Sequence, residues 1–142
     1  MPREVIQPEG IWDARDAKGH SAGTGLQNGN GRFAQVVKIG DTVYVAGQTP
    51  VDAHGQVVGK GDIEAQARQV FENIRAVLAA ADLTLADVAK ATVFLTAMED
   101  FTAVNAIYAE AFGEHRPARS TVAVAELPLG AKVEIEVVAV TP

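Results

Sequence analysis

Two segments toward the C-terminal end show the clearest alternation of apolar and polar positions. In residues 119–124, Val122 and Val124 share one face; in residues 132–137, Val133, Ile135 and Val137 do the same. A period of two is that of a strand. Thr121, Ala123, Glu134 and Glu136 take the opposite faces. Between the segments, Pro128 and Gly130 act as breakers, so the pattern predicts two adjacent strands joined by a short turn, most simply a hairpin. In such a hairpin Arg119 lies far from the turn and Glu134 close to it, so spacing alone does not make them meet.

Steps of three and four take over in residues 62–81. Ile63, Ala67, Val70, Phe71, Ile74, Val77, Leu78 and Ala81 fall on one helical face, with Asp62 as N-cap. A second helix is predicted from an N-cap at Asp100, with Phe101, Val104, Ile107, Tyr108, Ala111 and Phe112 on its apolar side and Gly113 just past its end. Strands are predicted at 3–7, ended by Pro8, at 33–39 and 42–46 around the Gly40-Asp41 turn, and at 88–96; 56–58 reads as a short edge strand and 84–87 as a helical turn. The order is β-β-β-α-β-α-β-β, an α+β domain spanning 1–142. Two helices cover one face of such a sheet. The other face keeps Val, Ile and Ala, which predicts an oligomer. Residues 10–31 break every period: Gly10, Gly19, Gly23, Gly25, Gly29 and Gly31 punctuate a long loop anchored by Trp12 and Leu26. It lacks the phosphate-binding pattern G-x-x-x-x-G-K-[ST].

Bulk properties narrow the partners. The formal net charge of −6 and the lack of a Lys/Arg run argue against a nucleic-acid backbone or an anionic membrane. With no cysteine, thiolate catalysis and Cys-based metal sites are excluded, and a cytoplasmic setting fits. No stretch has the h-region of a signal peptide or the length of a membrane span. The three histidines, His20, His54 and His115, have no ligand spacing, so no metal is expected; His54 and His115 read as solvated turn residues. Ser21 and Ser120 sit in no nucleophile motif.

Arg119 follows Pro117-Ala118, a stiff approach. It either grips a planar carboxylate through paired hydrogen bonds or forms an ion pair with Glu134, Glu136 or Glu126. Glu134 is a solvated strand residue unless its face lines a cleft; there burial raises its pKa and suits it to water activation, with Glu136 as competitor. Asn105 on the second helix reads as solvent-facing.

Taken jointly, several segments resemble the RidA/YjgF family from about residue 33 onward. They are Val45-Ala46-Gly47-Gln48-Thr49-Pro50, Ala65-Gln66-Ala67-Arg68-Gln69 with Asn73-Ile74, Lys90-Ala91-Thr92-Val93-Phe94-Leu95, Asp100-Phe101-x-x-Val104-Asn105-x-x-Tyr108, Pro117-Ala118-Arg119-Ser120, Leu127-Pro128, and Val133-Glu134-Ile135-Glu136. The resemblance implies a chorismate-mutase-like α+β fold, a mixed sheet with two helices on one face. It also implies a homotrimeric barrel with clefts between subunits, and cofactor-free hydrolysis of 2-enamine or 2-imine carboxylic acids to a 2-keto acid and ammonia. In that reading Arg119 holds the substrate carboxylate, Glu134 activates or orients water, and the backbone at Gly47 and the side chain of Asn105 border the pocket. Three positions depart from the family's usual residues: Phe33 replaces a Tyr, Ala46 a Ser and Thr121 a frequent Cys. The 113–116 loop looks shorter than usual and 10–31 looks like an insertion. The lost hydroxyls at 33 and 46 leave a second function open, a non-catalytic carboxylate-binding or chaperone-like trimer. The ribonuclease name some relatives carry fits an acidic chain without paired histidines least.

Overall fold

In the computed structural model, which describes residues 3–6 and 33–142, the longest helix begins where Asp62 is still extended. Its carboxylate accepts a hydrogen bond from the Ala65 amide at 3.1 Å, which starts α1 (Ile63–Ala80). The second helix, α2 (Phe101–Phe112), starts differently from expectation. Asp100 is itself in the right-handed helical region and closes a 3-10 turn, Met98–Asp100, that runs straight into α2. It therefore caps nothing, and its carboxylate lies 3.7 Å from Lys132 Nζ. At the other end Gly113 takes a φ of 63°, where a side chain would be strained, and its amide closes on Ala109 O.

Six strands make one mixed sheet: β1 (Arg3–Ile6), β2 (Val36–Ile39), β3 (Thr42–Gln48), β4 (Val88–Leu95), β5 (Ala118–Ala123) and β6 (Val133–Val140). Their spatial order is β1-β2-β3-β6-β4-β5. The hairpin expected of β5 and β6 does not form, because β4 lies between them. α2 carries the chain from β4 to a parallel β5 on the outer edge, placing Arg119 opposite Ala91 and Thr121 opposite Val93. β6 then inserts between β3 and β4, antiparallel to both. The connection passes the end of β4, where Leu95 O accepts from Val124 N (2.7 Å) and Thr96 N donates to Lys132 O (3.2 Å). The 56–58 segment contributes only an isolated bridge, Val51 to Val57. The glycine-rich stretch 10–31, with Trp12 and His20, lies outside the described residues.

Both helices pack on one face. Phe71, Ile74 and Leu78 of α1 and Val104, Ile107 and Phe112 of α2 close over Val43, Val45, Val93, Leu95, Val133, Ile135 and Val137. One polar side chain is deliberate in this layer. Gln66, almost fully buried, donates to Gly59 O (3.0 Å) and accepts from Lys132 N (2.8 Å), tying α1 to the entry of β6. Among the described residues the opposite face has no helix. Val5, Val37, Tyr44 and Val138 fall in one row across four strands, and Val5 and Tyr44 are about half exposed (50% and 49%). β5 inverts the expected parity. Arg119, Thr121 and Ala123 align with buried Ala91, Val93 and Leu95, while Val122 turns to the open face and is exposed.

Candidate functional site

Arg119 leaves the edge strand on the helix side and lies along the first turns of α2. Its guanidinium carbon is 5.5 Å from the Phe101 ring centroid and 4.7 Å from that of Tyr108. Nη1 donates to Asn105 Oδ1 at 2.7 Å. Positions 101, 105 and 108 are spaced by four and three, so one helix face presents two rings and an amide together. Ring faces attract a cation, and the amide fixes its rotation. Among the described residues Arg119 forms no ion pair, so the carboxylate partners considered from the sequence do not claim it. Thr121, two residues along the same strand face, has a buried hydroxyl. Among the described residues neither it nor the buried Tyr108 hydroxyl has a hydrogen-bond partner. Burial pushes the Tyr108 hydroxyl pKa up, against the opposing pull of the Arg119 charge.

The ring of Tyr108, not its hydroxyl, orients Arg119. Tyr108→Leu is therefore expected to weaken the hold on the Arg119 side chain by the span of a cation–π contact, about 0.5–2 kcal/mol, while Tyr108→Phe keeps most of it. A double-mutant cycle with Arg119→Ala, read in urea melts, checks both.

Beside Arg119 opens a cavity of about 490 Å³ whose lining includes Asn105, Tyr108, Phe112, His115, Arg116 and Arg119. His115 is not the solvated residue expected. It is half-buried, with ring Nε2 2.6 Å from Val88 O, and so donates to that carbonyl. His54 is exposed in its turn, as the sequence suggested; there Asp52 accepts from the His54 and Gln56 amides, which lowers the Asp52 pKa.

Glu134 belongs to a second cluster. It stands opposite Phe94 on β6, on the face away from α1 and α2, and is half-buried. Burial first, and the neighbouring Glu136 charge second, push its carboxyl pKa above the ordinary value. It fits because residue 47 is glycine: a Cβ there would fall on the Glu134 carboxylate. Gly47 occupies the irregular stretch of β3, where the register with β6 shifts between Val45 and Gln48. The stretch is braced by Gln48, whose side chain donates to Gln35 Oε1 (2.8 Å) and Ala46 O (2.9 Å), while the Ala46 amide donates to Gln35 O (2.9 Å). Gly47→Ala is expected to drive Glu134 from its place, costing about 1–3 kcal/mol in a urea melt.

The structure thus gathers Arg119, Asn105 and Thr121 on one side of the sheet, and Gly47, Glu134 and half-buried Ala46 around β3 and β6. Phe33 is half-buried at the bend leading into β2, four strands from β5 in the sheet order. Sequence reasoning assigned Phe101 and Tyr108 to an ordinary apolar stripe and missed them as the seat of Arg119. The available signal was an Asn held between two aromatics at helical spacing.

A model of the family described as Endoribonuclease L-PSP matches residues 27–141. A RutC family protein of Pyrococcus horikoshii is 48% identical over 109 residues, 77% of this chain and 86% of the relative. The 2-iminobutanoate/2-iminopropanoate deaminase of Salmonella typhimurium is 46% identical over 113 residues, 78% of this chain and 88% of the relative. Among solved structures, the YjgF gene product of E. coli superposes with a TM-score of 0.80 at 36% identity, covering 98% of this chain and 99% of that one.

Proposed function

The chain belongs to the endoribonuclease L-PSP family, and from that premise we propose that it is a cytoplasmic, cofactor-free hydrolytic deaminase of 2-imine and 2-enamine carboxylic acids. The observation that carries this reading is the guanidinium of Arg119. It is seated on two rings and an amide and has no acidic partner among the described residues. Such a group offers parallel N–H donors to a planar carboxylate. The homologous deaminase named above supports the choice of reaction.

Glu134 supplies the proton transfers. Water adds to C2 of the imine and gives up a proton to the carboxylate. The nitrogen of the resulting carbinolamine is protonated and leaves as ammonia, while the hydroxyl loses its proton and becomes the keto oxygen. A carboxyl held above its ordinary pKa is a better base for this cycle than a solvated one. Arg119 and Glu134 lie on opposite faces of one sheet, so a single copy does not offer both to one small acid. A homotrimer resolves this. Joining the open faces buries the Val5, Val37, Tyr44 and Val138 row and brings Glu134 of one copy to the Arg119 edge of the next. Loss of hydroxyls at Phe33 and Ala46 favours the second reading, a carboxylate-binding trimer without turnover.

The deciding experiment measures ammonia release from a panel of 2-imino acids formed in situ by an amino-acid oxidase, with and without the protein, and pairs it with the mass of the assembly in solution. Accelerated release by a trimer is expected. Acid binding without acceleration establishes the second reading instead.

A further inference from the structure

The cavity beside Arg119 is larger than the carboxylate it would hold. At about 490 Å³ it lies in the range of sites that enclose drug-sized ligands, about 300–1,000 Å³. A three- or four-carbon imino acid anchored on Arg119 fills one corner. Part of the wall is apolar, with Tyr108, Phe112 and Pro117 among the lining residues. Among the described residues the lining also includes a second arginine, Arg116, and no Asp or Glu. In a chain of net charge −6, a hollow bordered by two arginines and no carboxylate is a local exception.

Within one copy the competing charges are small. The C-terminal end of α2 borders the cavity and carries about half a negative charge at most. Two carbonyls near it are already used, Ala109 O by the Gly113 amide and Phe112 O by the His115 amide. His115 has committed Nε2 to Val88 O. The two full positive charges set the sign of the cavity.

We propose that Arg116 forms a second anion subsite in this cavity, so that the chain selects 2-imino acids whose side chain ends in another acidic group. The proposal rests on the deaminase reading for the identity of the reacting end, and it concerns the opposite end of the substrate. The first carboxylate sits on Arg119, the methylenes cross the aromatic wall, and the distal carboxylate meets Arg116.

The test uses the products, so it does not depend on turnover. Titration calorimetry with 2-oxopentanedioate and with 2-oxobutanoate is run on the wild type and on Arg116→Gln. The wild type is expected to bind the dicarboxylate about 10-fold or more tighter, the low end of what a charged hydrogen-bonded contact contributes. Arg116→Gln should erase that preference while binding 2-oxobutanoate as the wild type does, which also shows the variant is folded. Equal binding of the two acids by the wild type overturns the proposal, as does a preference that survives in Arg116→Gln. Absence of ammonia release with the preference intact would remove the deaminase reading and leave the subsite standing.

Discussion

Arg119→Ala is expected to lower kcat/KM for every 2-imino acid by about 100-fold or more, because two charge-assisted hydrogen bonds at about 1.5–3 kcal/mol each are lost together. The loss should appear as weaker 2-oxo acid affinity and a raised KM with kcat largely kept, since the clamp acts on ground state and transition state alike. Little stability should go with it. Arg119 is exposed on an edge strand, and its removal opens no buried cavity. Arg119→Lys is the sharper comparison. A lysine keeps the charge over Phe101 and Tyr108 but lacks the planar fork, so recovery is expected to be partial. Ammonia release on the imino-acid panel, with a thermal melt of each variant, checks all of this. A wild-type kcat/KM together with wild-type 2-oxo acid affinity in Arg119→Ala would remove the carboxylate clamp from the mechanism.

How far the sequence revealed this site differs between its two halves. The helices, β4 and the turns were legible because their signals are local: a 3.6 period, an Asp62 cap, a glycine at 113. Non-local pairing was not. Residues 119–124 and 132–137 alternate like two arms of a hairpin, and nothing in either segment says that β4 will stand between them. That placement follows from the path of α2, a property of the whole chain. The same limit hid the surroundings of Arg119. Its partners, Phe101, Asn105 and Tyr108, lie 11 to 18 residues upstream and meet it only because β5 runs parallel to β4. The miss at Asp100 is of another, local kind: it stands at the expected N-cap position, but the 3-10 turn before the helix already holds it in helical geometry, so its side chain makes no cap bond. The match of residues 45–50 to a family pattern marked Gly47. The reason for the glycine, room for the Glu134 carboxylate, lies in the pairing of β3 with β6, which no local signal carries.

Glu134→Gln is expected to lower kcat by about 10²- to 10⁴-fold, the usual contribution of a positioned general acid–base, with little change in 2-oxo acid affinity because the clamp is elsewhere. The same substitution carries a stability signature. Glu134 has a folded-state pKa raised above its ordinary 4.5, mainly by burial. The folded state therefore prefers the protonated carboxyl, and the stability that preference gives is complete in acid and lost as pH rises through the folded pKa. Glutamine stays neutral throughout. The variant should accordingly melt above the wild type at neutral pH, and the gap should close as pH falls below the ordinary value. The wild-type rate should rise with pH through the same titration, since the base form does the work. Glu136→Gln removes the like charge that is the second cause of the shift, so it should move that limb to lower pH while leaving the plateau rate nearly intact. A rate profile unmoved by Glu136→Gln, together with a Glu134→Gln enzyme of ordinary kcat, would assign the proton transfers to another group.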